Sequence, residues 1–586
     1  MFDLIVRNGR IVDGTGVEPF YGDVAVTDGR IVEVGSSLGQ NAKEIQNADG
    51  RLVTPGFVDV HTHYDGQVTW DTELRPSVAH GVTSIVMGNC GVGFAPVRPG
   101  QEEWLIQLME GVEDIPGSAL SEGIEWSWET FPEYLDAVGR RQYTMNVAAL
   151  VPHGALRAYV MGDRGADDEP ATEEELATMA RLVGEAVAAG AAGFSTSRIQ
   201  GHQAKDGRAV PGTTASEDEL RAIIGAMGQV GRGVLEAVPS GILGYSPAFP
   251  PDRITPLEDL EMLRRLALES GRPITFGMGQ THAEPELYKE LLAFQDKACA
   301  EGARLHGQIA NRPGGVISSF QSYHPFSRRP TYLKIADLRF TDRIAELRKS
   351  EVRAAILAEG DVPTGSATVM DNTHSLLQAL LPVMFPLGSV VDYEPEASQS
   401  VVAQAQARGE EPLARLYDLM LEKEGKATVV ALAANYAEGD HAAIELMLQN
   451  KNIVPGLSDG GAHVRLICDG SMPTYMLTHW ARDRSRGPRL SLEHAVRMQT
   501  RDTAALYGFQ DRGTIEVGKR ADLNVIDFDA LSLPAPQMLH DLPGGGARFV
   551  QDAVGYVATF VNGVATRRDD QDTGARPGRL IRDAQA

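Results

Sequence analysis

The stretch Pro55-Gly56-Phe57-Val58-Asp59-Val60-His61-Thr62-His63-Tyr64-Asp65 places an apolar run directly before two histidines that are one residue apart. Side chains alternate between the two faces of a β-strand, so His61 and His63 point the same way. At the end of a strand, both imidazoles can reach one metal ion. A pair of exposed loop histidines is the plainer interpretation, because short motifs have many chance matches.

The composition is that of a large globular protein with an acidic charge balance. The chain has 586 residues, of which 43% are hydrophobic and 23% charged, and its formal net charge is −25. This length favours one large domain with a smaller module. The negative charge disfavours nucleic acid and anionic membranes as partners, and an anionic substrate would need a local cationic patch. A small-molecule substrate fits these numbers, and so does a homo-oligomer.

Cysteine usage and the first residues indicate the compartment. Cys90, Cys299 and Cys468 are too few for a disulfide framework, so a reducing cytoplasm is the natural interpretation. The stretch from Met1 to Gly9 lacks the basic start and the long apolar region of a signal peptide. No uninterrupted apolar stretch approaches the ~18 residues that a membrane span needs. We therefore expect a soluble cytoplasmic protein.

Between residues 55 and 509, short apolar runs alternate with helical segments such as Glu173 to Ala189, for which Gly190 is the stop. This alternation indicates a parallel sheet of the α/β class. Eight units indicate a closed (β/α)8 TIM-like barrel, with an open doubly wound sheet as the alternative. The segment 310–450 is too long for one connection and predicts a helical insertion. The predicted strands are Phe57–Val60, Thr83–Met87, Asn146–Leu150, Gly193–Thr196, Gly233–Val238, Pro273–Phe276, Leu305–Ile309 and Ile453–Leu457.

Both ends of the chain contain short strands separated by glycine turns such as Asn8-Gly9 and Asp28-Gly29. Neither end has enough strands for a stable sheet of its own. We expect residues 1–54 and 510–570 to combine into one small β-sandwich module beside the barrel at 55–509. The polar tail after Asn562 is expected to fray.

Groups that do chemistry in such a barrel lie at the carboxyl ends of its strands. Asp459 lies two residues after the last predicted strand. A metal lowers the pKa of its bound water to about 7, and Asp459 could bind the metal, orient the hydroxide and pass its proton to a leaving amine. A turn or helix-cap residue is the plainer role for Asp459. The imidazoles, thiol and carboxylates gathered at this rim suit zinc.

Four further residues at the rim have more than one interpretation. Cys90 follows the second strand and is either an inert buried thiol or, beside two histidines, a thiolate ligand. His153 and His463 follow the third and eighth strands, where each could hydrogen-bond the substrate or orient a ligand. His306 on the seventh strand fits a pocket-lining or internally satisfied histidine.

A substrate carboxylate would take a bidentate pair from an arginine. The candidates are Arg198, Arg312 and Arg465.

Several segments together resemble one family. They are Leu4–Gly9, Thr54–Asp65, Gly88–Gly91, Leu150–Gly154, Gly190–Ser197, Gly456–Asp459 and Arg512–Leu523. They resemble the amidohydrolase superfamily and, through the Gly-Asn-Cys-Gly segment, its N-acyl-D-amino-acid deacylase (D-aminoacylase) branch. The resemblance covers nearly the whole chain apart from the insertion. It implies the barrel with its β-module, one or two zinc ions held by His61, His63 and Cys90, and Asp459 as the metal-linked general base.

The sequence departs from this family on the fifth and sixth strands. The family usually has a histidine at the end of the fifth strand, in a Thr-His-x-Arg setting, and another on the sixth strand, in a Ser-His-x-Lys setting. Here the fifth strand has none, and His282 follows the sixth strand too late for a match. Glu236 on the fifth strand is the candidate substitute as a metal ligand, and a charge paired with an arginine is its plainer role. We therefore expect a divergent subgroup, for which another divalent metal is an alternative to zinc.

The sequence thus predicts a metal-dependent hydrolase of non-peptide C–N bonds. Metal-bound hydroxide would attack the amide carbonyl of an N-acyl amino acid, a D-amino acid derivative among the candidates, or of a related small amide. The same site could hydrolyse a cyclic amide, an imide or a lactone, which the fold does not separate. An alternative of another class is a binding protein that kept the barrel and lost turnover.

Overall fold

Eight parallel strands form the centre of the molecule, whose computed structural model describes residues 1–39, 41–242 and 254–582. The amide of His63 donates to the carbonyl of Gly460, 2.8 Å away, so the first strand meets the loop after the last and the ring closes. The predicted TIM-like barrel is confirmed, with all eight predicted strands present. Each pairs with the next, in the order β1 (Phe57–Thr62), β2 (Val82–Met87), β3 (Asn146–Pro152), β4 (Gly193–Ser197), β5 (Val234–Val238), β6 (Ile274–Gly277), β7 (Leu305–Ile309) and β8 (Ile453–Pro455).

Helices cover the outside of the barrel. Glu173–Ala189 has the predicted bounds, because Thr172 and Glu175 cap its start reciprocally and Gly190 ends it at a φ of 118°. Within the described ranges, no helix combines the length and the apolar character that crossing a membrane requires. The other α-helices around the barrel include Arg75–Val78, Glu102–Glu113, Gly117–Gly123, Phe131–Gly139, His153–Met161, Asp163–Ala166, Glu217–Val230, Pro256–Ser270, Leu287–Ala300, Ala442–Leu448, Met472–Tyr475, Leu492–Arg497 and Thr503–Leu506.

Apolar side chains fill one part of the barrel interior. Residues from strands on opposite sides of the ring belong to one buried cluster. Side chains from opposite sides can meet only inside the ring. This packing leaves the carboxyl ends of the strands for polar groups. The cluster includes Val58, Val60, Val86, Ala148, Leu150, Val234, Val454, Tyr507 and Phe509.

The two chain ends share one nine-stranded sheet. They join where Leu52–Pro55 pairs antiparallel with Leu523–Ile526. Because only Gly56 separates Leu52–Pro55 from β1, this sheet anchors the strand that leads to the histidine pair. The remaining strands are Phe2–Ile11, Phe20–Thr27, Arg30–Gly35 and Ala42–Asn47 from the beginning, and Tyr556–Val561, Val564–Arg568 and Gln571–Asp572 from the end.

The segment between β7 and β8 has an apolar core of its own, built around residues such as Phe320, Phe326 and Tyr417. It contains an antiparallel sheet of Gly314–Ser318, Met384–Pro386 and Val429–Ala434, which the sequence did not indicate. Its α-helices are Pro330–Leu333, Phe340–Leu347, Ser350–Ala358, Thr373–Ala379, Val401–Arg408 and Pro412–Gly425.

The prediction that the tail after Asn562 frays is wrong for its described residues, which run to Arg582. Tyr143 and Gly578 exchange backbone hydrogen bonds of 3.0 and 2.8 Å, and the carbonyl of Val147 accepts from the amide of Ile581 at 2.7 Å. Because β4 pairs with β3 only from Leu150 onward, the earlier part of β3 has an open edge that the tail fills. Backbone pairing of this kind needs no apolar side chains, so the polar composition was misleading.

Candidate metal centre

His61 and His63 face the barrel interior because β1 is irregular. Asp59 lies opposite Ile85 of β2 and Thr62 lies opposite Met87, so β1 has one residue more than β2 over this stretch. Such a bulge re-aims the side chains that follow it. Both imidazoles are 1% exposed, and their ring centroids are 5.3 Å apart.

Asp459 lies on the loop after β8, next to both imidazoles. Its Oδ1 is 3.5 Å from Nε2 of His61 and 3.6 Å from Nε2 of His63. Glycines after Asp459 allow this close approach, because a Cβ at Gly461 would lie 2.9 Å from the carbonyl oxygen of His63. Asp459 itself has a φ of 48°, a conformation that is concentrated at functional sites. The first and last strands therefore bring two imidazoles and a carboxylate to one point.

Cys90 adds a thiol to this group. It follows β2 in the left-handed conformation, with a φ of 57°, and its Sγ is 3.4 Å from Nε2 of His61. The Asn89 amide holds the turn by donating to the carbonyl oxygens of Thr62 and Val86, at 3.1 and 3.0 Å. Single ligand atoms of His61, His63 and Cys90 all lie within 4.8 Å of one another, which is a spacing that one metal ion can span.

Burial and charge shift the pKa values of these groups in different directions. Burial lowers the pKa of His61 to about 4, so the imidazole is neutral at pH 7. For His63, burial acts in the same direction, but the carboxylates of Glu113 and Asp459 outweigh it and raise the pKa to about 9. Burial also opposes ionisation of Asp459, yet the protonated imidazole of His63 at 3.6 Å, with the neighbouring His61, holds its pKa below the ordinary value.

The thiol of Cys90 needs a cation to ionise. Burial, followed by the charge of Glu236, raises its pKa well above the ordinary value. Metal binding requires thiolate and neutral imidazole and releases their protons. A bound cation would therefore displace one proton from Cys90 and one from His63.

Gln308 of β7 and Glu236 of β5 lie on the other edge of the His61 ring. Nδ1 of His61 is 2.8 Å from Oε1 of Gln308, so Nδ1 carries the proton and Nε2 presents its lone pair toward Asp459. Glu236 accepts from the amide of Cys90 at 3.0 Å, and its Oε1 is 4.0 Å from Nδ1 of His61. Burial raises the pKa of Glu236 to about 8. The role of Glu236 as a metal ligand stays a prediction. In this structure its carboxylate contacts two candidate ligands, Cys90 through its amide and His61 through Nδ1.

Glu113 is a site residue that the sequence pattern did not single out. It ends helix Glu102–Glu113 and is 1% exposed. One carboxylate oxygen is 3.4 Å from Nδ1 of His63, and the other is 3.4 Å from Nε2 of His463. The available signal was a carboxylate next to Val112 on the buried face of an amphipathic helix.

His463 and Arg465 follow Asp459 on the same loop and are partly exposed. The side chain of His463 is 26% exposed and that of Arg465 is 35% exposed. Nη2 of Arg465 is 2.8 Å from Oδ1 of Asp114, and it also contacts the hydroxyl of Tyr323, whose ring lies beneath the guanidinium. These side chains are thus both close to Asp459 in the chain and open to a ligand.

His153 and Arg198 lie in closed, buried networks instead. Nε2 of His153 is 2.8 Å from Glu219, and its Nδ1 is 2.9 Å from Oγ1 of Thr196. Nε of Arg198 is 2.7 Å from Asp259, and the residue is 6% exposed. Their polar atoms serve the packing of β3 and β4 against helices, and their roles in substrate binding stay predictions.

The other candidates have different surroundings. His306 lies two residues before Gln308 on the same face of β7, and burial, with Arg304, lowers its pKa to about 4. Arg312 is 1% exposed and 2.9 Å from Asp469. His282, which the sequence placed too late for a family ligand, donates to the carbonyl of Leu432 in the inserted sheet at 2.9 Å.

A second group of metal-capable side chains consists of Glu394, His441 and His479. Arg484 already lies 3.3 Å from both carboxylate oxygens of Glu394, and His479 lies 2.8 Å from one of them. This arrangement is a buried ion-pair network between the insertion and the barrel, and we assign no metal to it.

Comparison with known proteins agrees with this architecture. An uncharacterized protein of Mycobacterium tuberculosis is 28% identical over 550 residues, which cover 90% of this chain and 84% of that protein. The D-aminoacylase of Alcaligenes xylosoxydans xylosoxydans is 35% identical over 195 residues, or 33% of this chain and 37% of that enzyme.

Solved structures are similar in fold. A crystal structure of D-aminoacylase superimposes with a TM-score of 0.63 at 23% identity, covering 99% of this chain and 100% of that one. The N-acyl-D-glutamate deacylase of Bordetella bronchiseptica, complexed with zinc and a phosphonate inhibitor, gives a TM-score of 0.62 at 23% identity, covering 99% of each chain.

The family assignment comes from the chain as a whole. A family model described as the amidohydrolase family matches residues 44–566, from the last part of the N-terminal strands through the barrel to the C-terminal strands. The predicted class, a hydrolase acting on non-peptide C–N bonds, is confirmed at this level, and the partial match to D-aminoacylase is consistent with a divergent subgroup. This chain belongs to the amidohydrolase family.

Proposed function

We propose that this protein is a metal-dependent amidohydrolase that cleaves the amide bond of an N-acyl amino acid. The observation that carries the proposal is the convergence of His61, His63, Cys90 and Asp459. Their donor atoms come from three separate elements and meet within a few ångströms in a buried place. A folded chain has no packing reason to bury an imidazole pair, a thiol and a carboxylate together.

The donor set fits a divalent metal such as zinc. Two imidazole nitrogens, one thiolate and one carboxylate are ligands that zinc accepts. Burial raises the pKa of the Cys90 thiol, so a bound cation would favour its thiolate form. His61, His63 and Cys90 are the proposed ligands, with Asp459 beside them. When bound, a divalent metal polarises a carbonyl and makes water nucleophilic at neutral pH.

Asp459 is the proposed base. Its carboxylate stays ionised because its pKa is held below the ordinary value, and its Oδ1 lies 3.5 and 3.6 Å from the two imidazoles. It can therefore take a proton from the attacking water at Oδ1 and return it to the leaving amine nitrogen. His463, four residues later, is partly exposed and can hydrogen-bond the substrate.

Arg465 is the proposed partner of the substrate carboxylate. Of the three candidate arginines, Arg198 and Arg312 are buried and paired with Asp259 and Asp469. Arg465 is 35% exposed, lies six residues after Asp459 and is held in place by Asp114. An N-acyl amino acid offers the carboxylate that such a guanidinium binds, whereas a neutral cyclic imide or lactone does not.

The test is a substrate screen of the metal-loaded protein, read by product mass. The panel contains N-acyl-D- and N-acyl-L-amino acids, the matched N-acyl amines that lack the carboxylate, cyclic imides and lactones. We expect cleavage of an N-acyl amino acid with kcat/KM at least about tenfold above that of its decarboxylated analogue, the size of one charged hydrogen-bonded contact. Preferred cleavage of cyclic imides or lactones would contradict the proposal. Full metal loading without any turnover would instead favour a binding protein.

A further inference from the structure

Helix Glu102–Glu113 brings two consecutive carboxylates to the site from outside the barrel strands. Glu113 is 1% exposed and Asp114 is 2% exposed. The helix ends between them, because Asp114 adopts a left-handed conformation with a φ of 49°, which Asp and Asn tolerate better than most residues. The change of backbone direction sends the two side chains to different partners.

Glu113 faces the metal-binding half of the site. One oxygen is 3.4 Å from Nδ1 of His63, on the ring edge opposite the Nε2 that faces Asp459. The other oxygen is 3.4 Å from Nε2 of His463, whose amide also donates to the carbonyl of Glu113. A carboxylate behind a metal-binding imidazole fixes the orientation and tautomer of the ring.

Asp114 faces the half of the site that is proposed to bind the substrate carboxylate. Its Oδ1 is 2.8 Å from Nη2 of Arg465 and 2.7 Å from the hydroxyl of Tyr323. Its Oδ2 accepts from the amide of Arg465 at 3.4 Å. Without Asp114, the guanidinium would lose the group that holds it against the Tyr323 ring.

The helix end is itself clamped. A Cβ at Gly111 would lie 2.4 Å from the carbonyl oxygen of Gln203, so the loop after β4 packs directly on the last turn. On the same side, Glu110 is 3.5 Å from Nζ of Lys205. The two carboxylates are therefore adjacent in the chain and fixed against β1, the loop after β8 and the insertion.

We propose that Glu113 and Asp114 are positioning residues that together set the distance between the metal-binding imidazole and the carboxylate-binding arginine. Glu113 holds His63, Asp114 holds Arg465, and the peptide bond between them fixes the spacing. This spacing selects substrates in which a short, fixed distance separates the carboxylate from the scissile carbonyl, as in an N-acyl α-amino acid. The inference rests on the proposed function: its metal half rests on the proposed ligand role of His63, and its substrate half on the proposed N-acyl amino acid substrate.

The test compares Glu113→Gln with Asp114→Asn, two near-isosteric changes of neighbouring residues. Metal affinity is measured by competition with a chelator, and kcat and KM are measured with an N-acyl amino acid and its decarboxylated analogue. Glu113→Gln is expected to weaken metal affinity about 10–100-fold. Because Glu113 also contacts His463, any rise in the KM of the metal-saturated enzyme should be the same for the carboxylate substrate and its decarboxylated analogue. Asp114→Asn is expected to leave metal affinity unchanged and to raise KM about tenfold or more for the carboxylate substrate alone.

The control is Glu103→Gln, an exposed carboxylate in the first turn of the same helix, which should change neither quantity. Wild-type metal affinity in Glu113→Gln, or equal losses of metal affinity in both variants, would overturn the inference. If Asp114→Asn does not fold, Tyr323→Phe removes one partner of Asp114 and must raise KM severalfold with metal affinity unchanged. If no N-acyl amino acid is hydrolysed, the proposed function fails, and the metal affinity of Glu113→Gln still decides the role of Glu113.

Discussion

Buried histidines and charged side chains lie on two sides of the barrel mouth. Their hydrogen-bond partners are complete on one side and incomplete on the other. On the side of β3 and β4, His153 and Arg198 are buried and matched with Glu219 and Asp259 at 2.7 to 2.8 Å. On the side of β1 and β8, the contacts of Asp459 with His61 and His63 are longer, at 3.5 to 3.6 Å. Nδ1 of His63 lies 3.4 Å from the carboxylate of Glu113 and, within the described part of the chain, makes no hydrogen bond.

The difference indicates which polar residues stabilise the fold and which serve the reaction. A buried polar group with a full set of partners holds elements together, and changing it costs stability. A buried polar group with incomplete partners is costly for the fold and is retained where a ligand completes it. The β1/β8 side is therefore where we expect loss of function without loss of fold, and the β3/β4 side is where we expect the reverse.

The largest expected effect is that of Asp459→Asn. The amide cannot accept the proton, so kcat should fall by about 10³-fold or more while the circular dichroism spectrum and melting temperature remain those of the wild type. Asp337→Asn, at an exposed carboxylate, is the matched control. Activity near the wild-type level in Asp459→Asn would remove this residue from the role of base.

The second expected effect concerns Arg198, on the β3/β4 side of the barrel mouth. Arg198→Met leaves the carboxylate of Asp259 buried without its guanidinium, so the free energy of unfolding should fall by about 3–5 kcal/mol in denaturant titrations. KM should be unchanged at temperatures where the variant is folded. Arg181→Met breaks an exposed pair with Glu185 and should cost less than about 1 kcal/mol. A raised KM with unchanged stability would instead make Arg198 part of the substrate site.

The smallest of the three effects concerns Cys90→Ser. The hydroxyl is a poorer zinc ligand than thiolate, so metal affinity should fall about tenfold or more in chelator competition, with little change in melting temperature of the metal-free protein. Cys299→Ser is the matched control, because that thiol lies on helix Leu287–Ala300 and donates to the carbonyl of Leu305 at the start of β7. Unchanged zinc binding in Cys90→Ser would return Cys90 to the class of buried packing residues.

Sequence patterns predicted those features whose signals are local. The eight barrel strands follow from short apolar runs bounded by turn residues, and the helix Glu173–Ala189 follows from one apolar face and a glycine stop. The spacing of His61 and His63 and the position of Asp459 at a strand end were visible in the same way. Their convergence could be inferred only because a closed barrel brings its first and last strands together.

Features that depend on contacts between distant segments were not predictable in this way. Glu113 and Asp114 look like an ordinary acidic helix end, and only the fold places them beside His63 and Arg465. The bulge between Asp59 and Thr62 exists only relative to β2. The tail was misjudged because it pairs through its backbone with the open edge of β3, which no side-chain pattern records.

The shared terminal sheet has a consequence for biosynthesis. During translation, Leu52–Pro55 emerges early, but its partner Leu523–Ile526 is made only near the end. Domains usually acquire structure from the amino terminus as they are synthesised. Here Leu52–Pro55, the strand that precedes β1, lacks this partner until the end of the chain has been made. A ribosome-bound or prematurely terminated polypeptide would therefore leave that strand edge unpaired. We therefore expect the metal site to mature only after release, and truncation before Leu523 to abolish metal loading even though every candidate ligand is present.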